Sequence, residues 1–256
     1  MTGVLPVTLE DSTKIVQALL NSGKEYVCVM KLHGNAEEVR VRNVLKEFQD
    51  QIFQRPPLRA SVKRQLRIRR IYYIDFIELD GRNVLFKVGC ESGTYIRKLC
   101  YDIGEILGVG AHMQELRRTR AGPFTENKNC VSLHDVAYWF SEWQEKKDPK
   151  ILHKFVQPME TALKLVHKIV VRDSAVDALC HGANLTAPGI LATETGITKG
   201  TMVAALTLKG EAIALMKSLL STEEIMKMKH GTVATLQRVV MPRGTYPKVW
   251  KSGKRE

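Results

Sequence analysis

The sequence predicts an α+β protein in two parts: a mixed, largely antiparallel domain over residues 1–166 and a small β-barrel over residues 167–251. Three observations carry this expectation. In RRIYYIDFIELDGRNVLFKVGCE two β-branched and aromatic runs flank Asp80-Gly81, a strong hairpin signal. In TYIRKLCYDIGEIL the residues Ile96, Leu99, Cys100, Ile103 and Leu107 recur at helical spacing. From Lys168 onward the chain changes to short strands broken by Gly and Pro, namely KIVVRD, MVAALTL, EAIALMKSL and TLQRVVM.

The remaining elements follow in order. Asp11 and Ser12 read as the N-cap of a helix over residues 13–21, with Ile15, Val16, Leu19 and Leu20 on its apolar face and Gly23 at its C′ position. KEYVCVMKLHG reads as a strand whose alternation puts Tyr26, Cys28, Met30 and Leu32 on one face. AEEVRVRNVLKEF reads as a second helix, apolar at Val41, Val44, Leu45 and Phe48. The helix over TYIRKLCYDIGEIL leads into GVGAHMQELRRTRAGPF, a Gly-punctuated basic stretch. SEWQEKKDPK, residues 141–150, reads as a surface connector, and a short helix over residues 158–166 precedes the second part.

Lys and Arg number 39 against 27 Asp and Glu, a net charge of +12 that favours polyanionic partners, nucleic acid foremost. The five cysteines form no C-x-x-C pair and the histidines show no H-x-x-x-H spacing, so neither a disulfide framework nor a metal site is expected. No apolar run approaches membrane-spanning length and no signal peptide is visible, which leads us to expect a cytoplasmic protein.

Three places offer candidate chemistry. RPPLRASVKRQLRIRR, residues 55–70, holds seven basic residues and no acid; like charges at that density repel unless an anion lies near, so it reads as a phosphate-binding segment. Arg97 lies beside the apolar stripe of its helix, either an exposed arginine or one that orients a carboxylate or phosphate. Tyr26 opens an inward-facing row, where it is either a core tyrosine or a ring that stacks on a base.

Together these segments resemble a known family. TGVLPV, GKEYV, RPPLRASVKRQLRIRRIYY, SGTYIRKL and GVGAHMQELRRTRAGPF are similar to the TruB-type pseudouridine synthases, and among them to the archaeal catalytic subunit of box H/ACA ribonucleoproteins, the homologue of dyskerin. VVRDSAVDALCHGANLTAPGI through VVMPRGTYPKVW resembles the C-terminal PUA domain of that family, so the likeness runs in order along essentially all 256 residues. The resemblance implies an enzyme that isomerises a uridine of rRNA or tRNA to pseudouridine without cofactor or metal. It implies guide RNA and small accessory proteins as partners, and a target base that leaves its stack.

Residue roles follow from the same resemblance. Tyr26, in GKEYV, resembles the tyrosine that stacks on the flipped base. Arg97, in GTYIR, resembles the arginine that pairs with the catalytic aspartate, and Leu116, in ELRR, the apolar residue packed on the target nucleotide. Arg55, Arg59, Lys63, Arg64, Arg67, Arg117 and Arg118 are expected to face RNA, and Gly182, Arg243 and Lys248 to contact the ACA end of a guide RNA. The family's aspartate belongs to a GTLDP-like motif just ahead of TGVLPV, a position that here precedes Met1. Asp11, Asp75, Asp80 and Asp102 read as cap, strand, turn and helix residues. The expectation is therefore that these 256 residues by themselves make no pseudouridine. The alternative is a non-catalytic RNA-binding scaffold.

Overall fold

A computed structural model of the chain describes residues 1–55, 65–127 and 130–248. These fall into two compact units, Met1–Pro6 with Leu20–Phe155, and Val7–Leu19 with Val156–Glu256. In this division the segment Val7–Leu19 groups with the second unit.

The first part of the chain runs β1 (Thr2–Gly3), α1 (Val16–Asn21), β2 (Lys24–Leu32), α2 (Glu38–Glu47), β3 (Asp50–Gln54), β4 (Arg67–Asp80), β5 (Asn83–Cys90), α3 (Ile96–Leu107), β6 (Ala111–Ala121), β7 (Phe124–Thr125), α4 (Leu133–Lys146) and α5 (Pro149–Leu152). Seven strands form one sheet in the order β1-β6-β2-β5-β4-β3, with β7 beside β6. Only β1 runs parallel to its neighbour; the other pairs are antiparallel.

The alternation of β2 does what the sequence predicts. Cys28, Met30 and Leu32 are buried beside Val84, Phe86 and Val88 of β5. Val41, Val44 and Leu45 of α2 and all five stripe residues of α3 close this core. Burying a Leu, Ile, Val or Phe side chain contributes about 1.5–3 kcal/mol, so this two-helix cover is the main stabilising layer of the unit.

Several local expectations need correcting. The helix expected from residue 13 begins instead as a 3-10 turn over Glu10–Ile15. Ser12 folds back on Leu9, accepting the Leu9 N–H at 2.8 Å, and Asp11 pairs with Lys14 at 2.9 Å rather than capping. The hairpin closes on the pair Asp80 and Asn83, so its central residues are Gly81 and Arg82. The basic stretch after α3 is an eleven-residue strand, β6, held between β1 and β2. The expected connector starts inside α4, whose N-cap Ser132 accepts a hydrogen bond from the Asp135 N–H. No residue of α4 is buried, and Leu133 and Tyr138 are 85 % and 63 % exposed.

On the sheet face opposite this core, Glu25 accepts hydrogen bonds from Thr119 Oγ1 (2.6 Å) and the Tyr73 hydroxyl. Burial pushes the Glu25 carboxyl up, but these hydroxyls, with Lys87 and Arg120, outweigh it and hold the group below its ordinary value of 4.5. A depressed carboxyl stabilises the fold above its unfolded pKa and loses that contribution as pH falls through the folded value. We therefore expect stability to decline below about pH 4.5, and Glu25→Gln to flatten that decline in denaturant titrations run from pH 6 to pH 3.

The second part of the chain adds β8 (His167–Val171), α6 (Asp173–Cys180), β9 (Leu185–Thr186), β10 (Ile190–Thr193), β11 (Met202–Leu206), β12 (Ala212–Ser218), α7 (Thr222–Lys227) and β13 (Thr232–Val239). Its six-stranded sheet has the order β10-β8-β11-β12-β13-β9, around a core that includes Ile169, Val171, Val203, Ile213, Met216 and Val233. The early segment joins this unit through its 3-10 turn, where Lys14 Nζ donates to the Val240 carbonyl at 3.3 Å.

Candidate functional site

The site is built around strand β6. Along its pairing with β2, Glu25 faces Arg120 and Tyr26 faces Arg118, which leaves Thr119 as an extra residue; a second irregularity leaves Gln114 extra between Glu115 and Met113. Such bulges re-aim side chains. Between them, Leu116 lies opposite Cys28 and Arg118 opposite Tyr26, on the core side of the sheet, while Arg117 lies opposite Val27 on the other side.

Arg118 then organises its neighbours. Its Nε donates to the Val4 carbonyl at 2.6 Å, and the Val4 N–H donates to the Arg118 carbonyl at 2.8 Å. Gly3, at φ +105°, pairs with Arg118 so closely that a Cβ there would lie 2.1 Å from the Arg118 carbonyl oxygen. Only glycine allows β1 to lie against β6 at this point. Burial and the neighbouring Cys90 push the Tyr26 phenol up, and the adjacent Arg118 guanidinium opposes the shift without reversing it. Tyr26 is thus a neutral ring at physiological pH.

These residues border an open cavity of about 580 Å³, lined by Met1, Thr2, Gly3, Leu5, Tyr26, Thr94, Tyr95, Ile96, Arg97, Met113, Leu116 and Arg118. That is the size range of a small-ligand site. Tyr26, Met113 and Leu116 offer an aromatic and apolar lining. Arg97, in the first turn of α3, is exposed and has no hydrogen-bond or ion-pair partner among the described residues. Two arginines thus line one cavity with no carboxylate among the lining residues described, an arrangement that attracts an anion.

Of the residues singled out from sequence, Tyr26, Arg97, Leu116 and Arg118 come together here. Arg117 is turned away and binds Glu126 at 2.7 Å. Arg55 is exposed just after β3, Arg67 is half-buried at the start of β4, and Arg59, Lys63 and Arg64 lie outside the described residues. The segment 55–70 is less starkly unpaired than its sequence suggests. Asp50 from β3 meets Arg70 at 3.2 Å, and Glu91, beyond β5, meets Arg69 at 3.4 Å. Gly182 follows α6 at φ +100°, and Arg243 and Lys248 are exposed beyond β13. Asp102 pairs with Lys98 and Asp75 stands opposite Lys87, so neither lines the cavity. Thr94, Tyr95 and Met113 were not foreseen; the first two precede the helical stripe, and the strand that carries Met113 lacks regular alternation.

Four of the five cysteines are buried and Cys130 is exposed. Among the described residues no cluster of three His, Cys, Asp or Glu is placed to hold a metal, and no helix is long and apolar enough to cross a membrane.

The first unit thus carries an aromatic, cationic cavity, and the second is a small β-domain. Residues 97–164 match the model of the tRNA pseudouridylate synthase B C-terminal domain, and residues 167–240 that of the PUA domain. The chain is 55 % identical to a probable tRNA pseudouridine synthase B of Methanopyrus kandleri, over 98 % of this chain and 74 % of that protein. The corresponding Pyrococcus abyssi protein is 53 % identical, over 98 % and 75 %. A crystal structure of a Cbf5-Nop10-Gar1 complex superposes with a TM-score of 0.93 at 49 % identity, covering 96 % of this chain and 75 % of that one. The structure of an H/ACA RNP bound to a substrate RNA containing 2′-deoxyuridine gives 0.89 at 46 %, covering 97 % and 75 %. The chain belongs to the TruB-type pseudouridine synthases that carry a C-terminal PUA domain.

Proposed function

We propose that the cavity receives a flipped uridine of RNA and that the chain is the catalytic subunit of a guide-RNA-directed pseudouridine synthase acting on rRNA. The observation that carries this reading is the convergence of Tyr26, Leu116, Arg97 and Arg118, from three separate elements, on one cavity. The Tyr26 ring stacks on the base and Leu116 packs on the nucleotide. The solved relatives that contain Nop10 and Gar1, or a substrate RNA, support accessory proteins and RNA as partners.

The isomerisation breaks the N1–C1′ bond of uridine, rotates the base and forms a C5–C1′ bond; the C5 proton is lost and N1 ends protonated. A carboxylate is needed to start this exchange, and the lining residues described provide none. In this reading Arg97 is the cation available to pair with such a carboxylate, and without one at the cavity these residues make no pseudouridine. The missing carboxylate also favours a second reading, an RNA-binding scaffold without catalysis.

Guide dependence is tested by binding. Filter binding at fixed salt, with accessory proteins present, should show an ACA-ended guide RNA held about tenfold more tightly than a tRNA transcript. Equal affinity would favour a stand-alone tRNA enzyme instead. Charge reversal at Arg243 and Lys248 should remove the preference for the ACA-ended RNA.

A further inference from the structure

We infer that Gln54, outside the cavity, is a positioning residue that sets the wall against which the base is read; this rests on the uridine reading above. Gln54 is the last residue of β3 and is only 2 % exposed, one of few buried polar side chains among those described. Its amide faces one backbone unit and satisfies both of its groups. Oε1 accepts the Tyr95 N–H at 3.0 Å, and Nε2 donates to the Tyr95 carbonyl at 3.2 Å. Tyr95 is the N-cap of α3 and makes no capping bond with its own side chain. Gln54 therefore satisfies from another strand the N-cap N–H that the N3 side chain of a capping box ordinarily takes.

The rest of the loop is tied to β4, the strand paired with β3. The Glu91 N–H donates to the Arg70 carbonyl at 2.8 Å, and the Arg70 N–H to Glu91 Oε2 at 3.0 Å. Arg69 pairs with Glu91 at 3.4 Å, and its guanidinium lies against Gly93. Between Gly93 and Arg97, however, the only side chain that reaches the loop backbone from β3 or β4 among the described contacts is Gln54. Thr94, Tyr95, Ile96 and Arg97 form one wall of the cavity, so releasing Tyr95 loosens the wall that carries Arg97. Arg55, the first cation of the basic segment, follows Gln54 directly in the chain.

The test compares two single-stranded RNA heptamers, one with a central uridine and one abasic there, by fluorescence anisotropy with the full chain. The wild type should prefer the uridine RNA by about tenfold, the scale of stacking one base. Gln54→Met keeps the volume and removes both hydrogen bonds. It should lower the preference to about twofold while affinity for the abasic RNA is unchanged, a split that general loss of folded protein does not produce. Gln54→Glu keeps the acceptor and loses the donor, so it should fall between the two; it carries the test if the methionine variant does not fold. A Gln54→Met protein with the full tenfold preference overturns the inference and leaves the uridine reading intact. A wild type without any preference overturns the uridine reading itself, and the inference with it.

Discussion

Gly104→Ala is expected to destabilise the first unit by roughly 2–4 kcal/mol, lowering the melting temperature by roughly 5–15 °C. Helix propensity alone predicts the opposite, since alanine exceeds glycine by about 1 kcal/mol in a helix interior. Gly104 lies in the last turn of α3 and is buried. A Cβ there would stand 2.1 Å from the Ala111 backbone nitrogen and 2.6 Å from the Ala111 Cβ. The Gly104 carbonyl also accepts the Gly110 N–H at 2.9 Å, which locks the helix to the start of β6. No rotamer relieves a clash with backbone, so α3 and β6 must part. Arg97 sits on one of these elements and Leu116 and Arg118 on the other, so the same substitution should weaken uridine-dependent RNA binding. A scanning-calorimetry trace equal to or better than wild type would show that the close approach is not there.

What could be read from the sequence depended on whether the information was local. The stripe of α3 and the alternation of β2 face a continuous core, and every residue assigned to those two buried rows is buried or packed against it. Strand β6 was not legible, because its residues alternate between the cavity and a polar far side, and bulges at Gln114 and Thr119 break the period of two. For the same reason Arg117 and Arg118 looked equivalent, and only pairing with β2 separates them. The apparent isolation of the cations in residues 55–70 failed because Asp50 and Glu91 are distant in sequence but adjacent across strands. Gln54 was invisible too, since a buried amide that bonds a loop backbone leaves no periodic trace.

The second large effect concerns chemistry. If the cavity holds everything but the carboxylate, turnover should differ by on the order of 10⁴-fold or more between the chain and a form given that group at the cavity. The geometry makes the difference specific. Arg97, in the first turn of α3, stands at the cavity without a partner among the described residues, while Tyr26 and Leu116 provide the surface for the base. Adding a carboxylate elsewhere on the surface should do nothing.

The direct measurement is release of tritium from RNA labelled at uridine C5, because the new C5–C1′ bond expels the hydrogen at that carbon. It is run with guide RNA and accessory proteins, on the unextended chain and on a form extended ahead of Thr2 by Gly-Thr-Leu-Asp-Pro. No release above background is expected from the first and release from the second, abolished again by Arg97→Ala. Release from the unextended chain, or none from the extended form that binds the same RNA, would contradict that expectation.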